Sequence, residues 1–410
     1  MIENEAVTLE GLYAPSTQAA VEASRARETV LAISDTTSLN FTNHRATSGL
    51  GPIAAEVEVQ GFLLHSTIVL RRDGVPLGLL RQQAWVRDPG EYGKRHKRKE
   101  RRLEEKESYR WVETVEEGSL FFDTLEEEER PLLIHVFDRE GDIHEVFQTV
   151  EDTGEGCVIR SSWNRKVDGP NQYLHDTVMK SVVLGRRRIE VPRKQGERKR
   201  KATVEYRACT LTLDPREKHS KSRRRLQVNV VAVTEVEPPQ GIKKPLQWIL
   251  VTTLPIDTLE EALEVVRIYK LRWRIEEYHL ILKSGCGAEK LQFETAKRLM
   301  KMLAILAAVA LRLLALTYHA RIEPDLPCTE ILAEDEWRAL VTGIQGKPPS
   351  RKARPPTMRQ AILWIGKLGG HVGRKSDGMP GVRTLWRGWQ DLQLLATMYQ
   401  ACCMNPESLA

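Results

Sequence analysis

The chain has 410 residues and a formal net charge of +6, which is long enough for two or more domains, one of them enlarged by an insertion. Its six cysteines have neither the paired spacing of a zinc site nor the density of a disulfide scaffold, which indicates reduced thiols in a cytoplasm. Acidic and polar residues follow Met1, unlike a secretory signal. The longest apolar stretch, Met302–Leu311, is too short to span a bilayer, so we expect a buried helix and no membrane partner.

Basic residues are clustered along the chain. The runs are Lys94–Lys99, Arg186–Arg188, Arg198–Lys201 and Arg223–Arg225. A single run of this kind is often only a solvated face or a loop tip. Four runs in one chain favour a polyanionic partner.

Apolar runs and turn residues predict a mixed α/β chain. Residues 1–28 are expected to form one or two short helices, and Trp111 is expected to lie in another. The predicted strands are 30–33, 57–64, 67–71, 77–85, 132–137 and 246–253, with a Lys- and Arg-rich β insertion at about 164–245. Thr258 is suited to cap a long helix that reaches about Lys283, and the helical run continues towards His319. A boundary near residue 320 precedes a helical tail.

Two aspartates follow apolar strands. Asp35 comes after the first predicted strand, and Asp138 comes directly after the strand at 132–137. Open α/β sheets place their sites at the carboxyl ends of strands, so the pair predicts ligands at one sheet edge. A single strand-end aspartate is more often an ordinary turn residue that bonds its own backbone. The pair therefore needs a third ligand to indicate a site.

The long helix supplies a candidate third ligand. Tyr269, Arg272, Glu276 and Lys283 lie at offsets that a regular helix confines to a sector of roughly 60°, so the four side chains should share one face. One acid flanked by two cations and a phenol can hold a metal ion while contacting phosphate oxygens. The alternative is a solvated helix with an ordinary ion pair between Arg272 and Glu276.

Three segments together resemble those of a known family. They are Asp35–Leu39, Asp138–His144, and Tyr269–His279 followed by Lys283. They are similar to the three signatures of bacterial DDE transposases of the Tn-five type, within the insertion-sequence family called IS-four. The last segment matches that family's Tyr-Arg-Glu-Lys signature, with two, three and six residues between its members. Further similar segments are Glu105–Ser108, Ser284–Glu289, Leu368–Gly370 and Trp386–Trp389, so the resemblance covers nearly the whole chain.

The resemblance implies an α/β fold with an RNase H-like catalytic core, a β-rich insertion and a helical C-terminal domain. Residues 1–28 would be an N-terminal remnant. Residues 29–320 would be the catalytic domain, with the insertion at about 164–245, and residues 321–410 would be the dimerisation domain. The implied partners are double-stranded DNA, both transposon ends and target, and a second copy of the chain in a synaptic complex. The implied location is on DNA in a bacterial cytoplasm.

The resemblance also implies two-metal phosphoryl transfer. Asp35 would bridge two Mg²⁺ or Mn²⁺ ions, and Asp138 and Glu276 would each complete one site, in keeping with the preference of these ions for hard oxygen ligands. Cleavage would proceed by nicking at a transposon end, hairpin formation, hairpin opening and strand transfer to target DNA, with the same three carboxylates serving every step.

Five further residues would contact DNA if the resemblance holds. Tyr269, Arg272 and Lys283 would grip the phosphates beside the cut, Trp248 would stack on a flipped base, and Arg160 would be a further contact. The alternatives are helix-surface packing for the first three residues and burial in a strand for Trp248.

One departure from the family concerns the N-terminus, where only 34 residues precede Asp35. Family members usually carry a longer segment there, folded as a small helical domain that recognises the transposon end. The chain could be a fragment of a gene, the product of an alternative start, or a shortened inhibitor of transposition that acts through mixed dimers. Two alternative functions stay open: this inhibitor, or a general RNase H-like nuclease. The first would dimerise without cleaving, and the second would cut DNA that lacks terminal repeats.

Overall fold

The computed structural model describes residues 2–54, 58–91, 102–191, 200–215, 224–240, 242, 245–374 and 377–404. The basic run Lys94–Lys99 lies outside these residues, as do Arg198, Lys199 and Arg223 of two other runs. The strands are β1 Thr29–Asn40, β2 Gly51–Pro52, β3 Gln60–Arg71, β4 Pro76–Trp85, β5 Leu132–Phe137, β6 Gly156–Arg160, β7 Val183–Val191, β8 Arg200–Leu213, β9 Leu226–Glu235 and β10 Gln247–Thr252. The helices are α1 Leu9–Ser24, α2 Arg110–Phe122, α3 His144–Thr153, α4 Leu174–Lys180, α5 Leu259–Lys270, α6 Trp273–Leu280, α7 Ala296–Ile322, α8 Glu334–Gln345, α9 Met358–Leu368 and α10 Val382–Tyr399.

Ten strands of the described chain form one mixed sheet. Its order is β2-β3-β1-β5-β6-β10-β9-β8-β7. In addition, β4 pairs with β3, which also pairs with β1 and with the short β2. The centre is parallel, because β1 pairs with β5 and β5 with β6 in the same direction. The long, nearly continuous apolar runs of these central strands suit a sheet that is covered on both faces. The predicted mixed α/β architecture is confirmed.

Two strand predictions need correction, and the predicted β insertion is continuous with the central sheet. The first strand does not end at Ile33 but continues to Asn40, because β3 pairs antiparallel with β1 along its whole length. The two strands predicted at 57–64 and 67–71 are one strand, β3, and Val57 lies outside the described residues. The predicted β insertion contains β7, β8 and β9, and β9 hydrogen-bonds to β10. The insertion therefore extends the central sheet.

The predicted long helix after Thr258 is also interrupted. Thr258 caps it as expected, with its hydroxyl accepting from the amide of Glu261. The helix ends at Lys270, resumes as α6, and passes into a π-helical turn at Ile281–Gly285. A separate cap at Thr295 then begins α7. The expected continuous helical run is thus several segments, whose breaks change the direction of the side chains.

Helix α7 is the central helix of the molecule. Among the described residues it is the one helix long and apolar enough to cross a membrane, but 67% of its most apolar 18-residue window is buried inside the protein. Burial of this kind is typical of the core helix of a globular protein. The prediction of a buried helix over Met302–Leu311 is confirmed, although the helix extends well beyond that stretch. One apolar cluster joins Leu31 of β1 to Leu392 of α10 through α7. The domain boundary near residue 320 stays a prediction.

Two glycines allow α9 and α10 to cross at close range. A Cβ added to Gly388, inside α10, would lie 1.7 Å from the carbonyl oxygen of Ile365 in α9. A Cβ on Gly369, at the end of α9, would lie 2.0 Å from the carbonyl oxygen of Thr384. In both cases the added Cβ would clash with backbone atoms of the neighbouring helix, so a side chain could be accommodated only if the helices moved apart. Gly369 and Gly388, which belong to the tail segments Leu368–Gly370 and Trp386–Trp389, therefore allow α9 and α10 to pack closely.

We expect Gly388→Ala to destabilise the protein by at least about 1–3 kcal/mol, the usual cost of overpacking a well-packed contact. Gly381→Ala is a matched control, because no atom lies within 4 Å of a Cβ added there. Thermal unfolding of the two variants gives the comparison. Equal melting temperatures for both variants would contradict the close crossing.

Candidate active site

The site begins where β1 and β5 stop pairing. Their parallel register runs as far as Ile33 opposite Val136. Two residues further along each strand lie Asp35 and Asp138, so the register brings the two carboxylates to the same place. Asp138 directly follows β5, as predicted. Asp35 does not end its strand, contrary to prediction, because β1 continues on β3 with Asp35 opposite Ser66.

Glu276 is linked to Asp35 by Arg272, which contacts both carboxylates. One guanidinium nitrogen of Arg272 donates to Asp35 Oδ2 at 3.3 Å, and the other donates to Glu276 Oε1 at 3.2 Å. The Arg272 and Asp35 side chains are only 13% and 14% exposed, whereas Glu276 is 40% exposed. Arg272 therefore lies between two of the predicted metal ligands, and the i, i+4 ion pair weighed as an alternative is present as well.

The carboxylates also interact electrostatically. Burial raises the pKa of Asp35 to about 7, since a buried carboxylate loses its hydration. The positive charge of Arg272 opposes this shift, while repulsion from Glu276 and Asp138 adds to it. All three predicted ligands thus contribute to one concentration of negative charge in a partly buried cleft.

The donor chemistry of this cluster fits a divalent cation. Carboxylate oxygens are the ligands that Mg²⁺ and Mn²⁺ prefer, and a dication would neutralise the charges that repel one another here. Within the parts of the chain that the structure describes, however, no three His, Cys, Asp or Glu side chains are grouped closely enough to enclose a metal ion. Joint coordination by Asp35, Asp138 and Glu276 therefore requires them to move closer together, with Arg272 displaced from between them.

Arg160, Trp248 and Tyr269 form a second group beside the carboxylates. The rings of Trp248 and Tyr269 meet edge to face with their centroids 5.6 Å apart. Arg160, the last residue of β6, donates to the carbonyl oxygen of Gln247 at 3.4 Å. Burial raises the pKa of Tyr269, and the nearby guanidinium groups of Arg160 and Arg272 oppose that shift. A phenol, an indole and two cations are thus close to one another next to the carboxylate cluster.

Lys283 lies against β1, near Asp35. Its ammonium group donates to Thr37 Oγ1 at 3.2 Å and is 3.8 Å from Glu289. Thr37 is two residues beyond Asp35 on β1, so the two side chains emerge on the same face of the strand. The regular-helix argument for a shared face does not apply, because Lys283 lies in the π-helical turn after α6. The interrupted helix nevertheless directs Tyr269, Arg272, Glu276 and Lys283 towards one cleft.

Asp142, which no sequence pattern singled out as a site residue, is a buried carboxylate that fixes the loop after β6. The Asp142 side chain is fully buried and accepts hydrogen bonds from the amides of Ser162 and Trp163 at 2.6 and 3.0 Å. Arg165 donates to its other oxygen at 2.5 Å. The sequence offered one signal, since Asp142 lies in the segment that begins at Asp138. Asp142 therefore ties two loops of the site together.

A contact between helices fixes the position of α6, which carries Glu276. Tyr318 of α7 donates its hydroxyl to the carboxylate of Glu277, the residue next to Glu276. The guanidinium carbon of Arg274 lies 3.7 Å from the centroid of the Tyr318 ring. Helix α7 therefore holds α6 in place.

We expect Asp142→Ala to destabilise the protein by about 3–5 kcal/mol, because it leaves a mostly buried Arg165 and two amides without their shared acceptor. Asp152→Ala removes a solvent-exposed partner of Arg224 and serves as the control, with little expected change. Chemical denaturation measures both. A similar loss in the two variants would show that Asp142 has no special structural weight.

Two known families match the chain. Residues 79–312, more than half of the chain, match the transposase DDE domain. Residues 308–402, which contain α8 to α10, match the transposase Tn5 dimerisation domain. Asp138 and Glu276 lie inside the first match, whereas Asp35 precedes it. The sheet and the two matches together show an RNase H-like core followed by a helical C-terminal domain, and the chain belongs to the DDE transposases of the Tn5 type.

Proposed function

We propose that this transposase moves DNA by a cut-and-paste mechanism that depends on two Mg²⁺ ions and the carboxylates Asp35, Asp138 and Glu276. The observation that supports this proposal is the convergence of the three acids on one partly buried cleft with Arg272 between two of them. Because the three acids repel one another, cations bound between them would be electrostatically favourable. Mn²⁺ would satisfy the same donors.

The three carboxylates would hold the ions once Arg272 turns away from them. When bound, the ions activate the attacking oxygen and stabilise the leaving oxygen of the phosphoryl transfer. Arg272 is at hydrogen-bonding distance from Asp35 and Glu276. A phosphate that enters the cleft offers the guanidinium an alternative anionic partner, and bidentate phosphate contacts are among the stronger hydrogen bonds in proteins. Substrate binding would thereby free the acids for the cations.

The other residues around the cleft would hold the DNA. Tyr269 lies near Arg160 and Asp138, and Lys283 lies against Thr37 of β1, so a phosphate beside the acids would have several donors within reach. Trp248 is only partly buried, with one edge packed on Tyr269. Its remaining surface can stack on a base turned out of the duplex.

The reaction sequence that we propose has four steps at this single cleft. Water attacks first and nicks one strand at the transposon end. The freed 3′ hydroxyl then attacks the opposite strand to form a hairpin, a second water opens the hairpin, and the 3′ hydroxyl finally attacks the target DNA. The reacting groups differ from step to step, but each step is a displacement at phosphorus that the same acids serve.

We further propose that two copies of the chain act together on paired DNA ends. The C-terminal match is to a dimerisation domain, and α10 exposes Leu394 and Met398 to solvent at 63% and 56%. Exposed apolar side chains on one helix are suited to a protein contact. The DNA would be bound within the bacterial cytoplasm.

Changing Asp35, Asp138 or Glu276 to Ala should lower Mg²⁺-dependent strand cleavage by roughly 10³-fold or more, since the metal ions supply several kcal/mol of the catalysis. DNA affinity should change little, because the backbone contacts come from other residues. Cleavage of DNA with the transposon's terminal repeats and a binding titration measure the two quantities. Glu260→Ala, an exposed acid on α5, is the control.

Near-parental cleavage by any one of the three variants would remove that residue from the proposed site. Equal cleavage of DNA with and without terminal repeats would instead identify a general nuclease.

Trp248→Ala should leave the first nick nearly unchanged and slow hairpin formation by about 5-fold or more, because base stacking is worth about 1–3 kcal/mol. Trp248→Phe keeps an aromatic face and should retain most of the hairpin rate. Denaturing gels that separate nicked, hairpin and opened products give both rates. If nicking and hairpin formation fell together, Trp248 would be a packing residue and not a base acceptor.

A further inference from the structure

We infer that Trp163 is a second aromatic DNA contact of this transposase, and that its indole stacks on a base left unpaired in the DNA beside the cleavage site. The inference rests on the proposed function, since it assumes that DNA occupies the cleft. Trp163 is 63% exposed, a large fraction for so big an apolar side chain. Tryptophan is enriched at binding interfaces because its indole offers a large apolar face and a polar N–H.

The position of Trp163 at the cleft follows from the sheet. β5 and β6 are neighbouring parallel strands, so Asp138 after β5 and the loop after β6 emerge at the same edge. Trp163 is three residues beyond Arg160, which already lies beside Tyr269. The amide of Ser161 donates to the carbonyl oxygen of Ile249, the residue after Trp248. The two tryptophans therefore belong to adjacent, hydrogen-bonded segments.

The loop that carries Trp163 is held firmly. The Trp163 amide donates to Asp142 Oδ2, and the hydroxyl of Ser161 donates to the Trp163 carbonyl oxygen at 3.2 Å. The Ser161 hydroxyl also pairs with His175 Nε2 at 2.9 Å, at the start of α4. The backbone is thus fixed while the side chain extends into solvent. Preorganisation of this kind lowers the entropic cost of binding a ligand.

The two tryptophans differ in depth, which suggests different bases as their partners. Trp248 is partly buried and packs on Tyr269, whereas the Trp163 side chain is largely exposed to solvent. Extruding one base from a duplex leaves a neighbour without its stacking partner. An exposed indole can cover such a base, and stacking of this kind tolerates any base because every base has a π face. The positive charge of Arg160, three residues before Trp163, favours the same partner.

The test compares Trp163→Ala and Trp163→Phe with the parent protein. The probes are a short fully paired duplex and the same duplex with a few mismatched thymines at its centre, both titrated in chelator so that no cleavage occurs. We expect the Ala variant to lose about 5-fold or more in affinity for the mismatched duplex and less than about 2-fold for the paired one. The Phe variant should retain most of the preference for mismatched DNA. Leu120→Ala, also 63% exposed, is the matched control and should behave like the parent.

Two outcomes would overturn the inference while leaving the proposed function intact. One is a parental preference for mismatched DNA in Trp163→Ala. The other is an equal loss of affinity for both duplexes in Trp163→Ala, which would indicate a general contact and not stacking. Failure of the parent protein to bind either duplex, together with no Mg²⁺-dependent cleavage, would overturn the proposed function as well as this inference.

Discussion

The rest of the site depends on the cost of holding three carboxylates in one partly buried cleft. Desolvation and mutual repulsion both penalise the charged form of Asp35, and a single guanidinium, that of Arg272, offsets part of this penalty. Arg272 lies at the start of α6, one turn before Glu276, and contacts both Asp35 and Glu276. One guanidinium thus faces three carboxylates, which leaves the cluster suited to bind further cations.

The sequence predicted this cluster well for the acid at a strand end and less well for the acid inside a strand. Asp138 follows an apolar run that is also a complete strand, so its position could be inferred from hydropathy alone. Asp35 lies within a longer strand, and its place at the sheet edge depends on where parallel pairing with β5 stops. That limit is set by contacts between distant segments, which no local pattern contains. The β insertion illustrates the same point, because pairing between β9 and β10 merges it with the central sheet.

The ordinary structural roles considered for these residues, a turn aspartate and a helical ion pair, are compatible with a role in the carboxylate cluster. Asp138 Oδ1 accepts from the amide of Glu140 at 2.8 Å, as an ordinary turn aspartate does. Arg272 and Glu276 form the expected helical ion pair. Each acid thus has a local structural partner that holds it in place. A residue can therefore make local hydrogen bonds and also take part in catalysis. Only the convergence of several such residues indicates a catalytic role.

The start of α10 packs against the π-helical turn that follows α6, which links the C-terminal helices to the carboxylate cluster. A Cβ added to Gly285, at the end of the π-helical turn, would lie 2.8 Å from Val382 Cγ1 at the start of α10. That turn also carries Lys283, which lies against Thr37 of β1. On the other side, α7 holds α6 through Tyr318 and Glu277. A displacement of α10 would therefore act on the turn that carries Lys283, whereas α6, which carries Glu276, is bound to α7. The change from α-helical to π-helical winding after α6 thus lies between Glu276 and Lys283, so the two side chains are held by different neighbours.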